Sequence, residues 1–95
     1  MGTVITDWNR TAIQKLILDA EDVLRELDDA LANGNREEQA RSIRNGRRAY
    51  KEMVWRRRNF LLTPLAATAL EQLFAQIRGR LFSLREKVMY TKRWR

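Results

Sequence analysis

The sequence predicts an all-α protein built from three long helices, and three observations predict it. Apolar residues recur at steps of three and four along most of the chain. Two compact breaks divide it into segments of similar length. No stretch alternates in the two-residue period of a strand.

In the first segment Ile13, Leu16, Ile17, Ala20, Val23, Leu24, Leu27 and Leu31 share one helical face, which predicts a helix over about 8–32. Asn33-Gly34-Asn35 is the break that follows. Gly34 suits the left-handed position that closes a helix, and Asn35 with Glu38 has the pattern of a capping box opening the next. The second segment predicts a helix over about 36–60, with Ala40, Ile43, Tyr50, Met53, Val54 and Leu61 on one side and Arg47 and Arg57 interrupting it. Thr63-Pro64 is the second break. Thr63 suits an N-cap, and Pro64 suits the first helical position, where a missing N–H costs nothing. Ala66, Leu70, Leu73, Ile77, Leu81, Leu84 and Val88 then predict a helix over about 64–89, leaving a basic-aromatic tail at 90–95.

Each helix is about 25 residues, or roughly 37 Å. Equal helices joined by short connections pack as antiparallel neighbours. The expected architecture is therefore an up-down-up three-helix bundle. The alternative is a helical hairpin whose third helix packs against another copy. Ninety-five residues suit a single domain spanning 1–95. A chain of this size buries only about 60–70% of its unfolded surface, so the core is modest.

Two positions stand out within the second helix. Arg57 falls near the centre of its apolar face, where an unpaired charge is costly. Antiparallel packing places Asp7 and Glu71 as its candidate partners; the alternative is a buried arginine used for recognition. Ser42, Gly46 and Ala49 cluster on one flank. Glycine inside a helix costs about 1 kcal/mol relative to alanine. Close approach of a neighbouring helix explains it structurally, and close approach of a partner's backbone explains it functionally.

The composition excludes much chemistry. There is no cysteine and no histidine, so thiolate metal sites, disulfides, cysteine nucleophiles and imidazole acid–base catalysis are all ruled out. Serine occurs only at Ser42 and Ser83, and no glycine-rich phosphate loop or dinucleotide fingerprint is present. Asp19, Asp22, Glu26 and Asp29 are spread along a straight helix, too far apart for a compact Mg²⁺ or Ca²⁺ site. No enzymatic activity, cofactor or metal is expected. Met1–Asp7 has neither the basic nor the apolar region of a signal peptide, and Gly2 with Thr6 matches only the short myristoylation pattern. No apolar run approaches the length of a membrane span. The expected location is intracellular, in the cytoplasm.

Charge is sorted along the chain. Residues 1–35 carry three basic and seven acidic side chains; residues 36–95 carry sixteen basic and five acidic. Asp19, Asp22, Glu26 and Asp29 line the face of the first helix opposite its apolar stripe; they are expected to face solvent, largely unneutralised within the bundle, as an acidic face for a partner. Arg41, Arg44, Arg48, Lys51, Trp55 and Arg58 form one stripe on the second helix. Phe74, Arg78, Phe82, Arg85 and Met89 form a mixed stripe on the third, and Lys92, Arg93 and Trp94 repeat the mixture in the tail.

Each basic stripe has a plain reading as a solvated face. Against it stand fifteen arginines to four lysines, and guanidinium groups make planar bidentate contacts with phosphate and carboxylate. The interleaved aromatics offer stacking surfaces. The expected function is a small basic helical binding module, a subunit of a larger complex, contacting a nucleic-acid backbone, RNA or DNA, with little sequence specificity. The alternative is a protein-interaction module, an adaptor, oligomeric scaffold or inhibitor that binds an acidic protein or another copy through its aromatic-basic faces. In size, charge and helicity the chain resembles small basic helical subunits of ribonucleoprotein complexes. Zinc-finger ligands, a basic region leading into a leucine zipper and a short helix-turn-helix are all absent.

Overall fold

The computed structural model describes the backbone of residues 7–93 and the side chains of residues 10–89. Every regular element among them is a helix: α1 (Asp7–Asn33), α2 (Arg36–Arg57) and α3 (Pro64–Arg93). Each packs against the other two, so the bundle closes within one chain. The alternative in which α3 leaves the hairpin for another copy is set aside.

The core shows why the apolar period of α2 is the weakest. Leu16, Ala20, Leu27 and Ala30 from α1 and Leu70, Phe74, Ile77 and Leu84 from α3 are buried, whereas α2 adds only Met53 to that set. The other buried positions of α2 are Gln39 and Gly46. α2 thus lies over an α1–α3 pair that supplies most of the apolar surface. Phe74, assigned above to the mixed stripe of α3, is 3% exposed and belongs to the core. Tyr50 of α2 closes over it edge-to-face, with ring centroids 5.5 Å apart.

The first break follows its sequence signals with one correction. The Asn35 side chain accepts from the Glu38 N–H at 2.8 Å, and the Glu38 carboxylate accepts from the Asn35 N–H at 2.8 Å. This reciprocal pair satisfies two donors that the helix itself leaves open. Asn35→Ala is expected to destabilise the fold by about 1 kcal/mol. Thermal melting should register this as a drop of about 4–8 °C. Gly34 does not adopt the left-handed conformation; its backbone φ lies outside that region. Glycine is required there by crowding, because a Cβ would sit 2.8 Å from the Ala30 carbonyl oxygen.

The carbonyl end of α1 is closed by side chains from the other two helices. The buried Gln39 amide donates to the carbonyls of Ala30 at 3.2 Å and Gly34 at 3.1 Å. The Lys87 ammonium donates to the Leu31 carbonyl at 2.9 Å. α1 has no basic residue in its own last turn, so α3 supplies the cation that favours a helix C-terminus.

α2 ends at Arg57, three residues before its expected end. The N–H groups of Arg58, Asn59 and Phe60 turn back to carbonyls three residues earlier, which tightens the chain out of the α-helix. The Asn59 amide also donates to the Trp55 carbonyl at 3.1 Å. Leu61, expected on the apolar side of α2, is consequently 91% exposed, because the helix has stopped before it. Thr63 then caps α3, its hydroxyl accepting from the Ala66 N–H at 3.2 Å. The α3 backbone continues helical to Arg93, past the expected end near 89.

Gly46 sits where the three helices meet. A Cβ there would lie 3.0 Å from a methyl of Leu27 on α1 and 3.0 Å from a methyl of Leu81 on α3. Close helix packing accounts for this glycine, and its burial leaves no room for a partner's backbone.

Candidate functional site

The structure divides the basic residues into two populations. Those of the first are consumed inside the bundle. Arg56 reaches Asp19 at 3.0 Å, Arg57 reaches Glu71 at 3.1 Å, and Arg80 pairs with Asp28. Arg57 therefore uses Glu71, one of its two expected partners, although its Nε is buried without an acceptor among the described residues. The side chain of the other expected partner, Asp7, lies outside the described residues. Arg25 and Lys15 engage Asp22 and Asp19 along their own helix.

The second population is the stripe on α2, extended by Arg58 at its C-cap just past the helix end. Arg41, Arg44, Arg48, Lys51, Trp55 and Arg58 are all exposed, and the Trp55 indole is 63% exposed. Their spacing puts them on the face opposite Gln39, Gly46 and Met53. Among the described residues, none of these five cations has a carboxylate within ion-pair distance. Neighbours at three and four residues, such as Arg44–Arg48 and Arg48–Lys51, carry like charge. Each such pair costs a helix about 0.2–0.5 kcal/mol. The stripe therefore opposes folding slightly, and it presents a row of open donors.

On α3 the expected set separates. Phe82 is 57% exposed, and Arg85 is exposed with no ion pair among the described residues. Arg78 is engaged internally. Its guanidinium donates to the Tyr50 hydroxyl at 2.6 Å and lies 6.0 Å from the centre of that ring. The side chains of Lys92, Arg93 and Trp94 lie outside the described residues.

Arg47 departs from its expected place. Its position in the sequence interrupts the apolar face of α2, yet the side chain is exposed. It borders a notch of about 140 Å³ between α2 and α3, with Ile43, Leu81, Phe82 and Arg85 as the other lining residues. The sequence holds a signal for this: Arg47 is three residues from Arg44 and four from Lys51, which places it at the edge of the stripe. The apolar neighbours Ile43 and Tyr50 on the other side conceal it.

The acidic face of α1 is only partly free. Asp19 is spent on Arg56 and Lys15, and Asp22 on Arg25. Asp19 is thus a correction, since a solvent-facing position was expected; it is half-buried because Arg56 of α2 crosses over it. Glu26 and Asp29 remain exposed beside a groove of about 380 Å³ that Glu38 and Arg41 border from α2. The Asp29 carboxylate accepts from the Asn33 amide at 3.0 Å. Among the described residues, no group of three or more acidic side chains converges to hold a metal ion, and no helix is long and apolar enough to cross a membrane.

At the opposite end of the bundle Arg10, Ile13, Gln14, Ile17, Thr63 and Ala66 line a mostly apolar cleft of about 290 Å³. Nearby in sequence, Leu61 and Leu65 are 91% and 83% exposed. No family model, no curated protein and no solved structure matches the chain.

Proposed function

We propose that the protein binds a nucleic-acid backbone along the exposed stripe of α2, with little sequence specificity, as one component of a larger complex. The observation that carries this reading is the sorting of cations. Arg56, Arg57 and Arg80 are neutralised by bundle carboxylates, while Arg41, Arg44, Arg48, Lys51 and Arg58 have no such partner among the described residues. From Arg41 to Arg58 the stripe runs about 25 Å at 1.5 Å per residue. Duplex DNA carries a charge about every 1.7 Å along its axis, so a stripe of that length spans several phosphates. The donors are spread along a long helix, which favours backbone contact over reading of base edges.

The test is titration of labelled single-stranded and duplex oligonucleotides at two salt concentrations. The native protein should bind at low salt and lose affinity steeply as salt rises. A native protein that fails to bind at low salt ends this reading.

A protein-interaction reading draws on different residues. The apolar cleft at Ile13, Ile17 and Ala66, with Leu61 and Leu65 in solvent, favours an apolar partner surface. The exposed acids Glu26 and Asp29 complement the basic stripe of a second copy. Sedimentation at high protein concentration and low salt is expected to show self-association that Trp55→Ala weakens. A monomer under those conditions counts against self-association.

A further inference from the structure

The notch between α2 and α3 deepens the nucleic-acid reading and rests on it. Half-buried Ile43 and Leu81 and the exposed Phe82 supply its apolar lining. Arg47 stands on the α2 side and Arg85 on the α3 side, neither with an ion pair among the described residues. An aromatic ring 57% exposed that lines one notch with two guanidinium groups keeps apolar surface in water beside positive charge.

We infer that this notch is a base-stacking subsite for an unpaired nucleic-acid strand. One base lies against the Phe82 ring, and the phosphates on either side of it meet Arg47 and Arg85. Stacking needs a free base face. In a duplex both faces of each internal base are covered by neighbours, so only single strands, loops and ends offer one. Every base has such a face, so the subsite selects unpaired strand over duplex without selecting a sequence. Arg44 and Lys51 flank Arg47 on the same helix at about 4.5 and 6 Å of axial rise, which continues the phosphate track from the notch onto the α2 stripe.

The experiment measures fluorescence anisotropy of a labelled oligothymidine strand and a labelled mixed-sequence duplex, titrated with the full chain at two salt concentrations. The native protein is compared with Phe82→Ala, Phe82→Tyr and the double variant Arg47→Gln, Arg85→Gln, each confirmed as folded by its melting curve. The native chain is expected to prefer the single strand. Phe82→Ala should weaken single-strand binding at least about fivefold, change duplex binding by less than about twofold, and leave the salt slope unaltered. Phe82→Tyr keeps the ring and should retain the preference. The double variant should flatten the single-strand salt slope by about 1.4, at about 0.7 per phosphate.

Equal affinities of Phe82→Ala and the native chain for the single strand overturn the subsite while the stripe on α2 stands. Failure of the native chain to bind either oligonucleotide overturns both readings, and is seen before any variant is used. If Phe82→Ala changes sedimentation of the chain but not oligonucleotide binding, the notch is a protein contact and the inference is overturned.

Discussion

Replacing Arg44, Arg48 and Lys51 together by glutamate is expected to weaken nucleic-acid binding at least about 100-fold at low salt. It should also flatten the salt slope on duplex DNA by about 2.7, at about 0.9 per phosphate lost. The three residues are consecutive members of one exposed stripe and have no carboxylate partner among the described residues. Their reversal removes three contacts and adds three repulsions while breaking no ion pair of the bundle. Stability should change little, because reversal leaves positions 44, 48 and 51 like-charged among themselves and sets 48 against Glu52, while 44 and 51 become opposite in charge to Arg41 and Arg47 at three and four residues.

Net charge alone would also produce a loss, since each reversal removes two units and three take the chain from +7 to +1. A charge-matched control separates the two effects. Arg10, Lys15 and Arg25 are exposed on α1, away from the stripe, and their replacement by glutamate gives the same net charge. If the α2 stripe is the contact, this control keeps most of the affinity and nearly all of the salt slope. Equal losses in both variants would mean long-range attraction without a defined site.

The second large effect concerns folding. Gly46→Leu is expected to destabilise the bundle by about 3 kcal/mol, at the upper end of the usual cost of overpacking a core. That is a substantial share of the roughly 5–15 kcal/mol typical of small domains. The cause is the 3.0 Å approach of Leu27 and Leu81 methyl groups to the position where a Cβ would stand. Gly46→Ala should be near neutral. Its helix-propensity gain of about 1 kcal/mol is offset by the few tenths of an ångström those methyls must yield. Gly79 is the control. It lies exposed within α3, and nothing comes within 4 Å of the place its Cβ would take, so Gly79→Ala should stabilise by about 0.5–1 kcal/mol. Denaturant unfolding of the three variants gives the order directly; a stable Gly46→Leu protein would show that α2 does not pack closely at this point.

Local signals determined most of the architecture. The periods of α1 and α3, the Asn35–Glu38 box and the Thr63-Pro64 start each depend on residues within a few positions of one another, so the sequence displays them directly. The exposed stripe of α2 was legible for the same reason, since a helix converts spacings of three and four into one face. What lay beyond was decided by contacts between helices. Gln39 looks like an ordinary polar residue of α2 until the end of α1 is placed beside it. Asp19 reads as solvent-facing until Arg56 crosses to it, and Phe74 reads as one member of a mixed stripe until Tyr50 packs on it. Arg47 and Arg85 are 38 positions apart, and only the packing of α2 on α3 brings them to one notch with Phe82. A helical period fixes the direction in which each side chain leaves its own axis. It carries no information about which neighbour occupies that direction, and that neighbour determines whether a charge is spent within the fold or left open for a partner.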